Sequence, residues 1–220
     1  MKVRIFTSLP EVYPGILGAG VIGRACVDKK WDLQVVNLYD YGLGKRKNID
    51  DYSYGGGAGM IIAAPVIGDA LEDVLNDPYG QEIIYLSPRG QVFDSVMAGD
   101  FSRKEELNLI CGRFEGIDQR VIDEYQVKEV SVGKFVLATG DVAAMVLLEA
   151  SLRLIDGVLG GGNESLKEES FSGELQDQGE YDQFTRPKVW KNRQVPEVLL
   201  SGDHSKVRDF RLTQPKLSLA

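Results

Sequence analysis

Chemistry in this chain has to come from carboxylates, arginines and backbone, because the side chains behind most other catalytic schemes are scarce. There is one histidine, His204, and there are two cysteines, Cys26 and Cys111. A Ser/His/Asp or Cys/His set cannot be assembled around a single histidine placed after Leu-Leu-Ser-Gly-Asp. The cysteines lack metal-ligand spacing and cannot form a disulfide framework, so they read as reduced thiols in a cytosolic protein, with no metal site. The acids Glu168 and Glu169 stand together in a polar stretch, where their spacing alone gives a solvated pair. Arg153, near the end of an apolar helical run, is placed to favour the helix dipole. In Leu109-Ile-Cys-Gly-Arg-Phe-Glu-Gly116 a glycine turn ends an apolar run with Arg113 and Glu115 beside it. A carboxylate there can accept hydrogen bonds from a ligand amine or hydroxyl; the competing reading is a surface turn with an ion pair. The segment Tyr54-Gly-Gly-Gly-Ala-Gly-Met60 is neither a P-loop nor a dinucleotide fingerprint. Its glycines let backbone approach a ligand or another chain closely, or simply make a mobile loop.

The elements that must position these residues alternate between strand and helix patterns. Val3 to Thr7 reads as a strand, followed by a helix start with Ser8 as cap and Glu11 reaching back. Trp31 to Leu38 reads as a second strand, and Val66, Ala70, Val74 with Ile67, Leu71, Leu75 recur at helical spacing. Three short apolar runs follow, Ile83 to Pro88, Leu107 to Gly112 and Phe135 to Gly140, each closing on glycine or proline. A helix comes next, with Asp141 as cap, Val142 to Ile155 as body and Gly157 as stop. Such alternation predicts an α/β domain with a largely parallel sheet, whose ligands sit beyond the carboxyl ends of the strands. The glycine and proline punctuation after the three runs therefore marks the pocket.

Composition sets the outer bounds. The net charge of −8 argues against a nucleic-acid partner, yet Lys45-Arg46-Lys47 and the stretch Arg186 to Arg211 are locally basic. No apolar run reaches the roughly 18 residues of a membrane span, and Pro10 and Glu11 interrupt any early apolar region of a leader. Residues 1–160 read as one domain, the glycine-rich and polar stretch 161–179 as a linker or lid, and 180–220 as a small basic helical appendage.

Taken in order, Asp50-Asp51, Tyr54 to Met60, Tyr85-Leu-Ser-Pro88, Cys111 to Asp118, Val132 to Leu137, Gly157 to Gly160, Glu169-Ser-Phe171, Thr185-Arg-Pro187 and Val195 to His204 closely resemble the TrmD family. These are bacterial tRNA (guanine-N1)-methyltransferases that act on the guanosine at position 37, 3′ of the anticodon. Each motif is weak alone; their shared order over residues 1 to about 211 is specific.

The resemblance implies a SPOUT-class fold, with a trefoil knot in the sheet where S-adenosylmethionine binds, and a cytoplasmic homodimer whose active sites draw on both subunits. Hydrophobic patterning by itself gives an ordinary open sheet, since knots are rare. By the family's pattern, Tyr85, Leu86, Ser87 and Pro88, then Gly112 and Glu115, then Val132, Gly133, Lys134, Phe135, Val136, Leu137 and Gly140 hold the cofactor. The general base falls on Glu169, where the family has aspartate, and the positive group on Arg153. The extra methylene of glutamate displaces the carboxylate by about 1.5 Å, and Asp177, Glu180 and Asp182 are rival acids nearby. RNA contacts fall on Asp50, Gly59, Glu180, Arg186, Ser201 and His204. The stretch between Phe171 and Thr185 is longer than usual, Asp182 stands where the family has proline, and relatives continue beyond Ala220, which makes the tRNA-binding part short.

Other classes compete. An open-sheet methyltransferase would carry a glycine-rich turn after its first strand, where this chain has Thr7-Ser-Leu-Pro10. A non-catalytic module that binds S-adenosylmethionine or RNA would lack turnover, and a structural α/β domain would bind no cofactor.

Overall fold

Strict alternation of side chains along the strands decides which helices lie on which face of the sheet. The computed structural model describes residues 1–160, 169–171 and 181–213, and the chain divides into two units, Met1–Val158 and Leu159–Ala220. In the first unit, β1 (Lys2–Thr7), β2 (Asp32–Asn37), β5 (Ile83–Val92), β6 (Glu106–Cys111) and β7 (Lys128–Ser131) form one sheet in the order β2-β1-β6-β5-β7. Every neighbouring pair is parallel. Val3, Ile5, Ile84, Leu86, Leu107 and Leu109 point to one face, where they pack with residues of α1 (Gly20–Val27), α3 (Ser95–Ser102) and α5 (Gly140–Leu152). Phe6, Ile83, Tyr85 and Ile110 point the other way, against α2 (Ala64–Val74) and α4 (Gln119–Glu124). Both faces are thus covered, as an all-parallel sheet requires. Each fully buried Ile, Leu or Phe contributes about 1.5–3 kcal/mol relative to exposure.

Connection order shapes the far edge. After β6 the chain crosses beyond β5 to reach β7, and α5 then returns to pack on α3, β5 and β6. The β5–β7 register shifts between Leu86 and Gln91, where β5 bends around Ser87 to Gly90. At that bend a Cβ on Gly90 would lie 2.4 Å from the backbone of Glu129 and Val130, so only glycine lets the two strands meet. A small antiparallel pair, β3 (Asp50–Tyr52) and β4 (Met60–Ile62), brackets the glycine-rich segment.

The second unit contains an antiparallel pair, β8 (Val189–Trp190) and β9 (Arg193–Gln194), a 3-10 turn at Glu197–Leu200 and α6 (His204–Leu212). Asp203 caps α6 by accepting from the amides of Ser205 and Lys206, both at 3.2 Å. The appendage is therefore helix plus hairpin. The lid or linker 161–179 lies outside the described residues apart from 169–171, and so do Asp177 and Glu180. No helix among the described residues is long and apolar enough to cross a membrane.

Several local expectations are corrected. Ser8 caps nothing: the chain makes 3-10 turns at Pro10–Val12 and Gly15–Gly18, and the first α-helix begins only at Gly20. The Leu9 amide is instead satisfied by the Thr7 hydroxyl at 2.9 Å. The third strand is Lys128–Ser131, and Phe135–Thr139 is irregular. The following helix is capped by Thr139, whose hydroxyl accepts from the Asp141 amide at 3.2 Å, and it ends at Leu152 rather than Ile155.

Gly90→Ala is expected to destabilise the first unit by about 1–3 kcal/mol, because the clash is with backbone. Urea unfolding of the variant beside the parent measures it, with unchanged stability showing that β5 and β7 tolerate a wider gap.

Candidate active site

Because β5, β6 and β7 are parallel, their carboxyl ends open at the same edge, and a cavity of about 260 Å³ lies there. Tyr85 to Pro88 border it from β5, Gly112 to Gly116 from the turn after β6, and Val130 to Gly133 from the end of β7. Phe135 to Thr139 and the first turn of α5, through Gly140 and Ala143, complete the wall. Of the residues expected to hold a cofactor, all but Lys134 line this one cavity; Lys134 is exposed and outside it.

Glycines set the floor. The Gly140 N–H donates to the Gly112 carbonyl at 2.8 Å, and a Cβ on Gly140 would sit 2.8 Å from the Gly112 nitrogen. A Cβ on Gly112 would in turn come within 2.7 Å of the Tyr85 ring. Burial, and then the nearby Glu129 carboxylate, raises the Tyr85 phenol above its ordinary value, so it remains a neutral donor. Ser131 steadies the wall, its hydroxyl donating to the Gly133 carbonyl at 2.9 Å.

The rim is apolar on one side and polar on the other. Phe135 is 55% exposed and Val136 84%, a large apolar lip with no core partner. Opposite, Glu115 donates its amide to Met60 at 3.0 Å, and Ile62 donates to Gly116 at 2.9 Å, so the β3–β4 hairpin is stitched to the turn after β6. Gly55, Gly56, Gly57 and Gly59 all have positive φ, which explains the glycine run. A Cβ on Gly59 would meet the Glu115 side chain at 2.5 Å, so this glycine seats a cavity carboxylate.

The other expected residues are spread out. Asp50 is half-buried in β3. Arg153 is the half-buried C-cap of α5. Helical rise places it about 20 Å along the axis from Gly140, too far for its side chain to reach this cavity. Glu169 is half-buried in the second unit. Arg186, Ser201 and His204 are exposed in that unit, and Ser201 lines a depression with Lys188 and Lys206. Among the described residues no group of three His, Cys, Asp or Glu side chains could hold a metal. Sequence reasoning missed a polar cluster behind the cavity, Thr7, Tyr13 and Asp141, whose only signal was an acid two residues after a threonine at a helix start.

A doubly covered parallel sheet with a glycine-floored cavity at its strand ends defines an α/β protein with a pocket at that edge. The chain belongs to the TrmD family: the model for tRNA (guanine-1)-methyltransferase TrmD matches residues 1–218. It is 47% identical over 96% of its length to a tRNA (guanine-N(1)-)-methyltransferase of Ruegeria sp. (strain TM1040), covering 85% of that protein. Proteins of the same name from Pelagibacter ubique and Rickettsia prowazekii are each 43% identical over 97% of this chain, with 91% and 92% of their own lengths covered.

Gly140→Ala is expected to prise the start of α5 from Gly112 at a cost of about 1–3 kcal/mol. Hydrogen exchange at residue 140 should accelerate; protection equal to the parent's would show that the floor can absorb a methyl group.

Proposed function

We propose that this protein transfers a methyl group to N1 of the guanosine at tRNA position 37, 3′ of the anticodon, with S-adenosylmethionine as donor. The observation that carries the reading is family membership across 1–218 combined with a cavity built from the segments by which the family resemblance assigns the donor. Relatives named as methyltransferases at 41–47% identity favour turnover over a binding-only module.

The cavity's chemistry suits that donor. The Phe135–Leu137 lip offers a face to a purine, and Glu115 supplies a carboxylate for an amine or hydroxyl. When bound, S-adenosylmethionine supplies an electrophilic sulfonium methyl group. The protein's task is then to prepare the nucleophile. Guanine N1 carries a proton at neutral pH, and its lone pair is free to take the methyl only when that proton leaves. In this reading the Glu169 carboxylate accepts the N1 proton and becomes the neutral acid, while the Arg153 guanidinium faces O6 and holds the charge that moves there. The proton later passes to water.

The length of α5 supports a shared site. Arg153 stands about 20 Å along the same helix from Gly140 in the cavity floor, so it would serve a partner's cavity in a homodimer. Val142 and Val146, one turn apart on α5, are 49% and 50% exposed, and the adjoining turn carries Ile16 at 64%, an apolar face suited to a second copy. The knotted path of the family belongs to the same proposal; the pinning of the segment after β7 against Gly112 is what supports it. Residues 161–179 would act as the lid, 180–220 as the tRNA-binding part, with Asp50, Gly59, Glu180, Arg186, Ser201 and His204 in contact with RNA and the cytoplasm as the setting.

Glu169→Gln is expected to keep S-adenosylhomocysteine affinity while single-turnover methylation falls by about 10²–10⁴-fold. Comparable turnover would move the base to Asp177, Glu180 or Asp182. Arg153→Ala should slow the same step by about 10²–10³-fold. An unchanged rate for Arg153→Ala alone removes it from the mechanism.

A further inference from the structure

Behind the cavity floor lies a buried carboxylate that the proposed chemistry does not use. Asp141 is 3% exposed, and among the described residues no lysine or arginine forms an ion pair with it. A carboxylate so far from water is tolerated only when its oxygens are filled by donors. The hydroxyl of Thr7, fully buried at the end of β1, donates to Oδ1 at 2.6 Å. The Tyr13 phenol donates to the same oxygen at 2.9 Å, and the Thr139 hydroxyl donates to Oδ2. With its proton committed to Asp141, Tyr13 can only accept from the Cys111 thiol, 3.5 Å away. Burial first, and then the Asp141 charge, holds that thiol well above its ordinary value, in the protonated form needed to donate.

The members come from three regions far apart in sequence: the end of β1 with the turns after it, the end of β6 and the start of α5. What they enclose is the floor. Cys111 precedes Gly112, Asp141 follows Gly140, and Gly140 and Gly112 share the 2.8 Å backbone hydrogen bond. Thr139 is both the last residue of the Phe135–Thr139 wall and a donor to Asp141. An apolar side chain could fill the same space, but it could not set the direction in which Thr139 and Tyr13 point. A carboxylate with three donors does.

We infer that Asp141, through Thr7, Tyr13 and Thr139, is the positioning residue that fixes the donor-binding wall and the start of α5 against Gly112. The inference rests on the reading of the cavity as the S-adenosylmethionine site. Asp141 touches neither substrate nor donor; it acts by holding Gly140 and Thr139 in place. Tyr13→Phe removes one donor and strands the Cys111 thiol, while Asp141→Asn turns an acceptor oxygen into an amide NH2 donor that confronts the Thr139 hydroxyl.

The test is calorimetric titration of the full chain with S-adenosylhomocysteine, beside donor and tRNA KM values and thermal unfolding. Asp141→Asn should weaken S-adenosylhomocysteine by about tenfold and Tyr13→Phe by about threefold, and the double variant should lose less than the product of the two. The donor KM should rise in step while the tRNA KM stays within about twofold, a split that a general loss of stability does not produce. Affinities within about twofold of the parent, with only the melting temperature lowered, overturn the inference and leave a structural cluster. If Asp141→Asn does not fold, Tyr13→Phe decides by the same criterion. Failure of the unaltered chain to bind S-adenosylhomocysteine overturns the assignment of the cavity, and this inference with it.

Discussion

Two loops must come together at the end of a parallel sheet, and the hydrogen bond from Gly140 to Gly112 is where they do. At 2.8 Å between backbone atoms, with a Cβ on either glycine excluded by neighbours at 2.7–2.8 Å, the contact permits no side chain. Everything that gives the cavity its shape depends on this approach. It sets the start of α5, brings the Phe135–Thr139 wall over the end of β7 and leaves Tyr85 beneath the floor. Glycine loses more conformational freedom on folding than any other residue, and a site that needs this many of them relies on its surroundings to hold them. The surroundings here are a sheet covered on both faces and a buried carboxylate with three hydroxyl donors.

The helix that begins at this contact also explains why one copy is incomplete in the proposed mechanism. A rigid rod of thirteen residues separates the cavity wall at its first turn from Arg153, the C-cap at its far end. Rigid spacing of that kind lets one copy present a precise positive group to another while its own donor site stays unaffected. The exposed Val142 and Val146 on α5 lie between those two ends, where a second copy would dock.

Much of this is legible in the sequence. Parallel strands β1, β2, β5 and β6 and helix α2 follow from periodicity, because β1, β5, β6 and α2 carry several buried apolar residues each and β2, at the edge of the sheet, buries Val36. The placement of a pocket at the strand ends follows from glycine and proline after those strands. Periodicity misleads where apolar residues serve something other than a core. Phe135-Val-Leu137 has the composition of a strand, yet it forms a largely exposed wall of the cavity. Asp141 has the type and position of a cap, but long-range donors Thr7 and Tyr13 draw it inside, so Thr139 takes the cap. No local pattern reveals a partner more than a hundred residues away. A knotted path likewise leaves no trace in hydrophobic spacing, and only the family motifs raise it.

The central claim is that this strand-end cavity presents a methyl donor to a guanine whose N1 has lost its proton. Methyl transfer from labelled S-adenosylmethionine to an unmodified tRNA transcript, with the product nucleoside identified by mass and chromatography, tests it most directly. The account predicts 1-methylguanosine at position 37 and nowhere else, abolished when that guanosine is replaced by adenosine. Label at another position or on another guanine atom, or no label on any transcript, would contradict it.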